Sequence, residues 1–270
     1  MDTYVIASNI SDNYFYLLCD EANQAALIDP IDGNRAVEAV REHAADLKMV
    51  INTHFHHDHI GGNDTVFSHF PEARLITGRG DAERVDSGQS QTIDRRVSGG
   101  DSIELGQRSL EVIDTPGHTP GHISIAAGQN LFSGDTIFVG GAGNCSFGGD
   151  PGVLFATFRD VLLEMPGDTV FYPGHDYSVR NLEFVLSIEP DNERAEELLE
   201  DARSYSEAGK LFLTTLGHER AYNPFMRFDD PALAERLESE QAEVFAEQSE
   251  LSDSPEEAVF RTVRELRNRW

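Results

Sequence analysis

The sequence predicts a mixed α/β (α+β) fold in which a strand-rich domain, residues 1–180, carries a smaller helical domain, residues 181–270. Three observations lead there. Apolar and aromatic runs of strand length recur through the first two thirds of the chain and then stop. Helical spacing of apolar residues takes over beyond residue 180. Several of the strand runs end at a glycine beside a histidine or aspartate, which is how a sheet edge presents functional side chains.

In order, residues 14–18 and 25–28 are strands separated by the polar turn Asp20-Glu21-Ala22-Asn23, and Asp29-Pro30 closes the second. Asp32-Gly33-Asn34 opens a helix with Val37, Val40 and Ala44 on one face. Strands follow over 48–53 and 73–77. Residues 78–100 read as polar, Gly-rich loop with one short element. Residues 109–114 alternate and end at Thr115-Pro116-Gly117-His118, and 122–127 and 130–133 are strands, the latter running into Gly134-Asp135. After a Gly-rich loop over 140–149, Asp150-Pro151 is an N-cap acid with proline at N1. The helix it opens runs to Met165, with Leu154, Phe155, Phe158, Val161 and Leu162 at helical spacing. A last strand over 169–172 ends at Pro173-Gly174-His175. Helices are expected over 179–188, 191–208, 231–248 and 254–270, the last opened by the capping signal Ser254-Pro255-Glu256-Glu257.

Composition restricts the function classes. Asp and Glu number 48 against 21 Lys and Arg, a net charge of −27, and Lys48 and Lys210 are the only lysines. Such a field opposes nucleic acid and anionic membrane. The acids are dispersed and form no block, which favours adaptation to high salt over a docking surface for a basic partner. No run reaches the roughly 20 apolar residues that span a bilayer. The N-terminal residues carry no basic and apolar leader, and two cysteines, Cys19 and Cys145, make no disulfide framework. A cytoplasmic, reduced setting and a monomer are expected.

The chemistry concentrates at Thr53-His54-Phe55-His56-His57-Asp58-His59, between the apolar Met49-Val50-Ile51 and Gly61-Gly62. Imidazole with a neighbouring carboxylate is a donor set for a borderline divalent ion. His118, Asp135 and His175 add three more donors, each at a strand end. Seven ligands exceed one tetrahedral site and suit two metals sharing a bridging carboxylate. His57 lies beside the ligands with its side chain expected to point away, His122 reads as a structural or supporting group, and His43, His69 and His218 read as surface or core histidines.

This pattern resembles the metallo-β-lactamase superfamily, whose αββα sandwich the fold would then adopt. The match rests on the His-x-His-x-Asp-His run at 54–59, Asp-Thr-Pro-Gly-His at 114–118, Gly134-Asp135-Thr136 and Pro173-Gly174-His175. Within the superfamily the chain looks like a glyoxalase II, or hydroxyacylglutathione hydrolase, by His175-Asp176-Tyr177 with Asn181-Leu182, the run Tyr222-Asn223-Pro224-Phe225-Met226-Arg227 and a basic terminal helix. The resemblance implies a first metal on His54, His56 and His118, a second on Asp58, His59 and His175, and Asp135 bridging them, with Asp29 supporting the ligands. Zinc is the expected metal, with iron and manganese as alternatives.

Two metals imply a hydroxide available at neutral pH to attack a thioester carbonyl, releasing a thiol and a 2-hydroxy acid. Asp58 and Asp135 are the expected catalytic carboxylates. The thiolate leaving group is stable near neutral pH and needs no strong acid. For substrate binding the resemblance implies Tyr177, Arg264 and Arg267, the arginines lying with Arg261 along one face of the terminal helix. One stretch departs from the family pattern. The loop Gly143-Asn144-Cys145-Ser146-Phe147-Gly148-Gly149 has no cation where the family usually carries one, and Cys145 reads as a small loop residue. The rival readings are a mononuclear-iron persulfide dioxygenase of the same superfamily and a non-catalytic metal-binding protein.

Overall fold

The computed structural model describes all residues, Met1–Trp270. Internal contacts group them into two compact units. One comprises Met1–Thr115, Thr119–Gly134 and Tyr172–His175; the other comprises Pro116–His118, Asp135–Phe171 and Asp176–Trp270.

The first unit opens with strands β1 (Asp2–Ala7), β2 (Tyr14–Cys19) and β3 (Gln24–Ile28), helix α1 (Gly33–Glu42) and β4 (Asp46–Asn52). There follow α2 (His57–Ile60), α3 (Asn63–His69), β5 (Arg74–Gly78), α4 (Ala82–Gly88) and β6 (Arg95–Val97). These strands form one six-stranded sheet in sequence order. β1, β2 and β3 pair antiparallel, while β3, β4, β5 and β6 pair parallel across helical crossovers. The sheet is covered on both faces, so its strands read as continuous apolar runs and not as alternating ones. Phe15, Leu17, Leu27, Val50 and Leu75 share a core with Ala36, Ala39 and Val40 of α1 and Val66 and Phe67 of α3.

The opposite face meets a second sheet. It contains β7 (Ser102–Leu105), β8 (Arg108–Asp114), β9 (Ile123–Ala127) and β10 (Asn130–Gly134). Tyr16 of β2 packs on Phe132 of β10 and Tyr172, with ring centroids 5.1 and 5.5 Å apart. At the end of β10, Gly134 has φ 48°, and a Cβ there would lie 2.6 Å from Thr53 Oγ1 and 2.7 Å from His122 Nε2. Only glycine tolerates both the conformation and the approach.

In the second unit a short hairpin, β11 (Ile137–Phe138) and β12 (Gly141–Ala142), precedes α5 (Pro151–Thr157). β13 (Val170–Pro173), whose Tyr172 and Pro173 belong to the first unit, is the edge strand of the second sheet, in the order β13-β10-β9-β8-β7. The remaining helices are α6 (Ser178–Ile188), α7 (Glu193–Glu207), α8 (Leu216–Tyr222), α9 (Pro231–Glu240), α10 (Ala242–Glu250) and α11 (Pro255–Arg269). Phe155, Phe225, Phe228 and Phe260 pack edge to face into an aromatic core around α11.

Several elements differ from the sequence reading. Ala44 lies past the end of α1 at φ 49°. Residues 78–100 hold two elements, α4 and the edge strand Arg95–Val97, which is too short for an apolar pattern and buries only Val97. The helix expected through Met165 changes at Phe158 to a π-helical turn over Phe158–Leu162, which keeps Phe158 and Leu162 buried. The helix expected over 231–248 is two, because a straight continuation would carry polar Gln241 onto the stripe of buried Leu233 and Leu237; the chain bends at Gln241 instead.

Candidate metal centre

The parallel pairing of β3 and β4 creates the first cluster. Ile28 lies opposite Ile51, and the Asp29 N–H donates to the Ile51 carbonyl at 3.1 Å, so Asp29 stands beside Thr53 at the carboxyl ends of the two strands. Asp29 adopts φ 52°, a left-handed conformation that Asp and Asn reach more readily than other side chains. Its Oδ1 accepts the Thr53 N–H at 2.8 Å, and its Oδ2 accepts the Thr53 hydroxyl at 2.6 Å and His59 Nδ1 at 2.9 Å. Because the Thr53 hydroxyl proton points to Asp29, Thr53 Oγ1 accepts from His54 Nδ1 at 3.0 Å. These partners assign the Nδ1–H tautomer to both imidazoles and leave their Nε2 lone pairs for a ligand. His54 Nε2 lies 3.1 Å from His56 Nδ1.

His175 follows β13 and is held by the loop before β2. Its Nδ1 lies 3.1 Å from Asp12 Oδ1, and that hydrogen bond holds the Asp12 carboxyl below its ordinary range. Asn13 bridges to His175 through the backbone, with its amide nitrogen 3.1 Å from His175 Nε2, and donates to the Asp58 carbonyl at 3.0 Å. His175 Nε2 lies 3.2 Å from Asp58 Oδ2, and His59 Nε2 lies 3.9 Å from the same oxygen. Asp58, His59 and His175 thus offer three ligand atoms within 4.8 Å of one another, as do Asp29, His54 and His59. His57 opens α2 with its side chain exposed. His122 is buried, with Nδ1 at 2.9 Å from Thr115 Oγ1.

In the second unit, Gly117 makes the turn that sets His118. Its φ is 135°, and a Cβ there would lie 2.4 Å from Leu154 Cα. His118 Nδ1 donates to the Asn144 carbonyl at 2.6 Å, which again leaves Nε2 as the lone-pair nitrogen, 3.6 Å from Asp135 Oδ2. Two donors, each about 2.0–2.1 Å from a tetrahedral zinc, stand roughly 3.3 Å apart. The separations at His54–His56, Asp58–His175 and His118–Asp135 fall around that value, and the lone-pair nitrogens facing carboxylate oxygens there match a cation's needs. The donor set fits divalent metal.

The residues expected to bind substrate have different surroundings. Arg264 is only 5% exposed, donates from Nη1 to the Ala142 and Gly143 carbonyls at 2.7 and 3.2 Å, and has its pKa pulled down to about 10 by burial. Arg267 donates to Asn181 Oδ1 at 3.1 and 3.2 Å and is pulled down to about 10, first by burial and then by the neighbouring Arg180. Both Arg180 and Arg267 lie over the Trp270 ring. Of the arginines on this face of α11, only Arg261 pairs with acids, Glu257 and Asp150. Tyr177 packs its ring on Phe138. Cys145 is pushed up to about 12 by burial, so its thiol stays protonated.

Family comparisons follow this layout. The family model described as the metallo-beta-lactamase superfamily matches residues 11–175, and the hydroxyacylglutathione hydrolase C-terminus model matches residues 176–270. The chain belongs to the hydroxyacylglutathione hydrolase family of the metallo-β-lactamase superfamily. A hydroxyacylglutathione hydrolase of Polaromonas sp. is 41% identical over 268 residues, covering 97% of each chain. One of Nitrosococcus oceani is 37% identical with the same coverage. Among solved structures, ETHE1 from Myxococcus xanthus superposes with a TM-score of 0.64 at 28% identity, covering 83% of this chain and 84% of the other. The hydroxyacylglutathione hydrolase family membership accounts for the strand-end donors and for the helical C-terminal region alike.

Sequence reasoning passed over Asp12, Asn13 and Arg180. Asp12 and Asn13 sit in a polar loop whose composition resembles any surface turn. Arg180 follows the family-like His175-Asp176-Tyr177, and its basic charge in so acidic a chain is the one local signal that could have marked it.

Proposed function

We propose that this chain is a metal-dependent thioester hydrolase that cleaves S-2-hydroxyacylglutathione, such as S-lactoylglutathione, to glutathione and the 2-hydroxy acid. The observation that carries the reading is the intact donor set around Asp58, where His59 and His175 are each anchored through Nδ1 to a carboxylate and turn Nε2 to Asp58. The names of the full-length relatives support the reaction class.

In this reading His54, His56 and His118 would hold one metal. Asp58, His59 and His175 would hold the second, and Asp135 would be the carboxylate shared between them. Zinc suits these ligands, and iron or manganese are accepted by the same donors. Metal bound there would supply a water that is nucleophilic near neutral pH and a Lewis acid for the thioester carbonyl. Asp58, fixed by Asn13, orients the attacking water and takes up its proton. Asp29 and Asp12 keep the imidazoles in the ligating tautomer. The leaving thiolate needs no acid of its own.

Tyr177 and the terminal helix capture the peptide part of the thiol. Arg267, with the exposed Arg180 beside it, supplies the positive charge for a carboxylate that the loop over residues 143–149 lacks. The acidic, lysine-poor surface adapts the protein to high salt, and no helix is long and apolar enough to cross a membrane. A monomer in the cytoplasm is the setting we propose.

The test is hydrolysis of S-lactoylglutathione in high salt, with metal content measured on the same sample. Turnover with about two metals per chain supports the reading. No turnover with both metals present refutes glutathione as the thiol. A single iron, with oxygen consumed on addition of glutathione persulfide, replaces hydrolysis by dioxygenation.

A further inference from the structure

Asp81 is a buried carboxylate for which the proposed reaction has no use. It is the N-cap residue of α4, yet its side chain makes no hydrogen bond to that helix. An N-cap aspartate ordinarily accepts from the first helical turn. Asp81 is instead fully buried and turned to the loop over residues 119–121. Its Oδ2 accepts the Thr119 hydroxyl at 2.5 Å, and its Oδ1 accepts the Gly121 N–H at 2.9 Å. A buried carboxylate is costly unless donors take up its lone pairs, so these bonds fix Asp81 and the loop together. The two backbones touch: a Cβ on Gly80 would lie 2.7 Å from Gly121 Cα, and one on Gly121 would lie 2.2 Å from the Asp81 nitrogen.

The residue that leaves this loop is His122. Its carbonyl accepts the Thr115 N–H at 3.0 Å, and the next residue, Ile123, donates its N–H to the Thr53 carbonyl at 2.9 Å. The His122 ring is buried, with Nδ1 2.9 Å from Thr115 Oγ1, which in turn lies 2.9 Å from Ser124 Oγ. The missing side chain of Gly134 makes room for the ring. Its face stacks on His54, with centroids 4.9 Å apart and planes 27° apart. His54 is therefore restrained twice. The Thr53 hydroxyl holds its Nδ1, and the His122 ring holds its plane.

We propose that Asp81 is a positioning residue for the metal centre, acting through the loop over residues 119–121 and the His122 ring on the orientation of His54. An imidazole anchored only at Nδ1 can still swing its Nε2 about that contact, and a flat neighbour on its face removes the swing. Without Asp81 the loop is released, the His122 ring withdraws, and the arc open to His54 Nε2 widens. The inference rests on the metal-dependent reading above, in which His54 is a ligand. Its readouts are ring contact and metal retention, and neither requires a thioester. A parent that binds no metal sinks that reading, and the ring contact still decides this one.

The experiment uses the full-length, zinc-loaded chain. The nuclear Overhauser effect between the His54 and His122 ring protons reports the stacking, and competition with a chromophoric chelator reports metal retention. Asp81→Ala should weaken the ring contact and lower retention roughly 10- to 100-fold, the range for losing a group that orients a ligand. Asp81→Asn should restore retention to within about threefold, because its amide oxygen still takes the Gly121 N–H while the Thr119 hydroxyl turns to accept from the NH2. His122→Asn puts an amide oxygen in place of Nδ1, keeps the bond to Thr115 and removes the stacked face. It should lower retention as Asp81→Ala does, and the double variant should lose little more than either alone, since both act on one ring. Fully additive losses overturn the route through His122. An Asp81→Ala protein that melts earlier but keeps its ring contact and its metal makes Asp81 a residue of the fold alone and overturns the proposal. Should Asp81→Ala fail to fold by circular dichroism, Thr119→Ala removes one of the two bonds. It is expected to move both readouts in the same direction by a smaller factor, and no movement there overturns the proposal as well.

Discussion

Asp29→Asn is the sharpest probe of how the protein prepares its histidines. Asn keeps the shape and tolerates the left-handed φ of 52°, so backbone strain does not enter. The two carboxylate oxygens accept three hydrogen bonds, from the Thr53 N–H, the Thr53 hydroxyl and His59 Nδ1. An amide offers one oxygen. If that oxygen stays on the Thr53 N–H, the new NH2 faces the Thr53 hydroxyl and His59. The hydroxyl can rotate, but His59 must move its proton to Nε2, the nitrogen that faces Asp58. If the amide flips, its NH2 meets the Thr53 N–H head on. Each charge-assisted hydrogen bond is worth about 1.5–3 kcal/mol, so the metal-free protein should lose about 3 kcal/mol in urea unfolding. Metal affinity should fall about 10- to 100-fold, or about 1.4–2.7 kcal/mol, by chelator competition. An Asp29→Asn protein that binds metal as tightly as the parent would refute the tautomer argument.

Other outcomes follow from the same geometry. Arg180→Ala should raise KM for S-lactoylglutathione several-fold and leave kcat unchanged; steady-state kinetics in high salt measures it, and an unchanged KM removes Arg180 from substrate capture. Stability to thermal unfolding should rise steadily from dilute buffer into molar salt, because screening relieves repulsion among carboxylates in a chain of −27; a protein equally stable at both extremes refutes salt adaptation. Glu219 has its pKa raised above the ordinary 4.5 by burial. The folded state therefore holds that proton to higher pH than the unfolded state, and its contribution is greatest below the unfolded value and declines as pH rises through it toward the folded pKa. The unfolding free energy of the parent relative to Glu219→Gln should fall as pH is raised over that window, and a flat difference would show that Glu219 titrates normally.

Metal chemistry was legible early because its residues are rare, clustered and punctuated by glycine. His54, His56, Asp58 and His59 fall in one short run, and His118, Asp135 and His175 each follow a glycine at or beside a strand end. The supporting shell was less legible. Asp29 was expected to support the ligands only through the family resemblance, and Asp12 and Asn13 reach His175 across more than 160 residues of chain, a pairing with no local signature. Helix α8 escaped notice because its buried Glu219 looks, in sequence, like any solvated acid.

By itself the sequence determined the fold class, the candidate donors and the family, since these depend on local periodicity, turn chemistry and residue type. Tertiary structure alone decided what the donors are tied to. Parallel register put Asp29 on His59, and the folded C-terminal helices buried Arg264, expected from the sequence to bind substrate, with its Nη1 on the Ala142 and Gly143 carbonyls. The physical reason is that a helix periodicity shows which residues share a face, but whether that face meets water, a ligand or a row of backbone carbonyls depends on what packs against it.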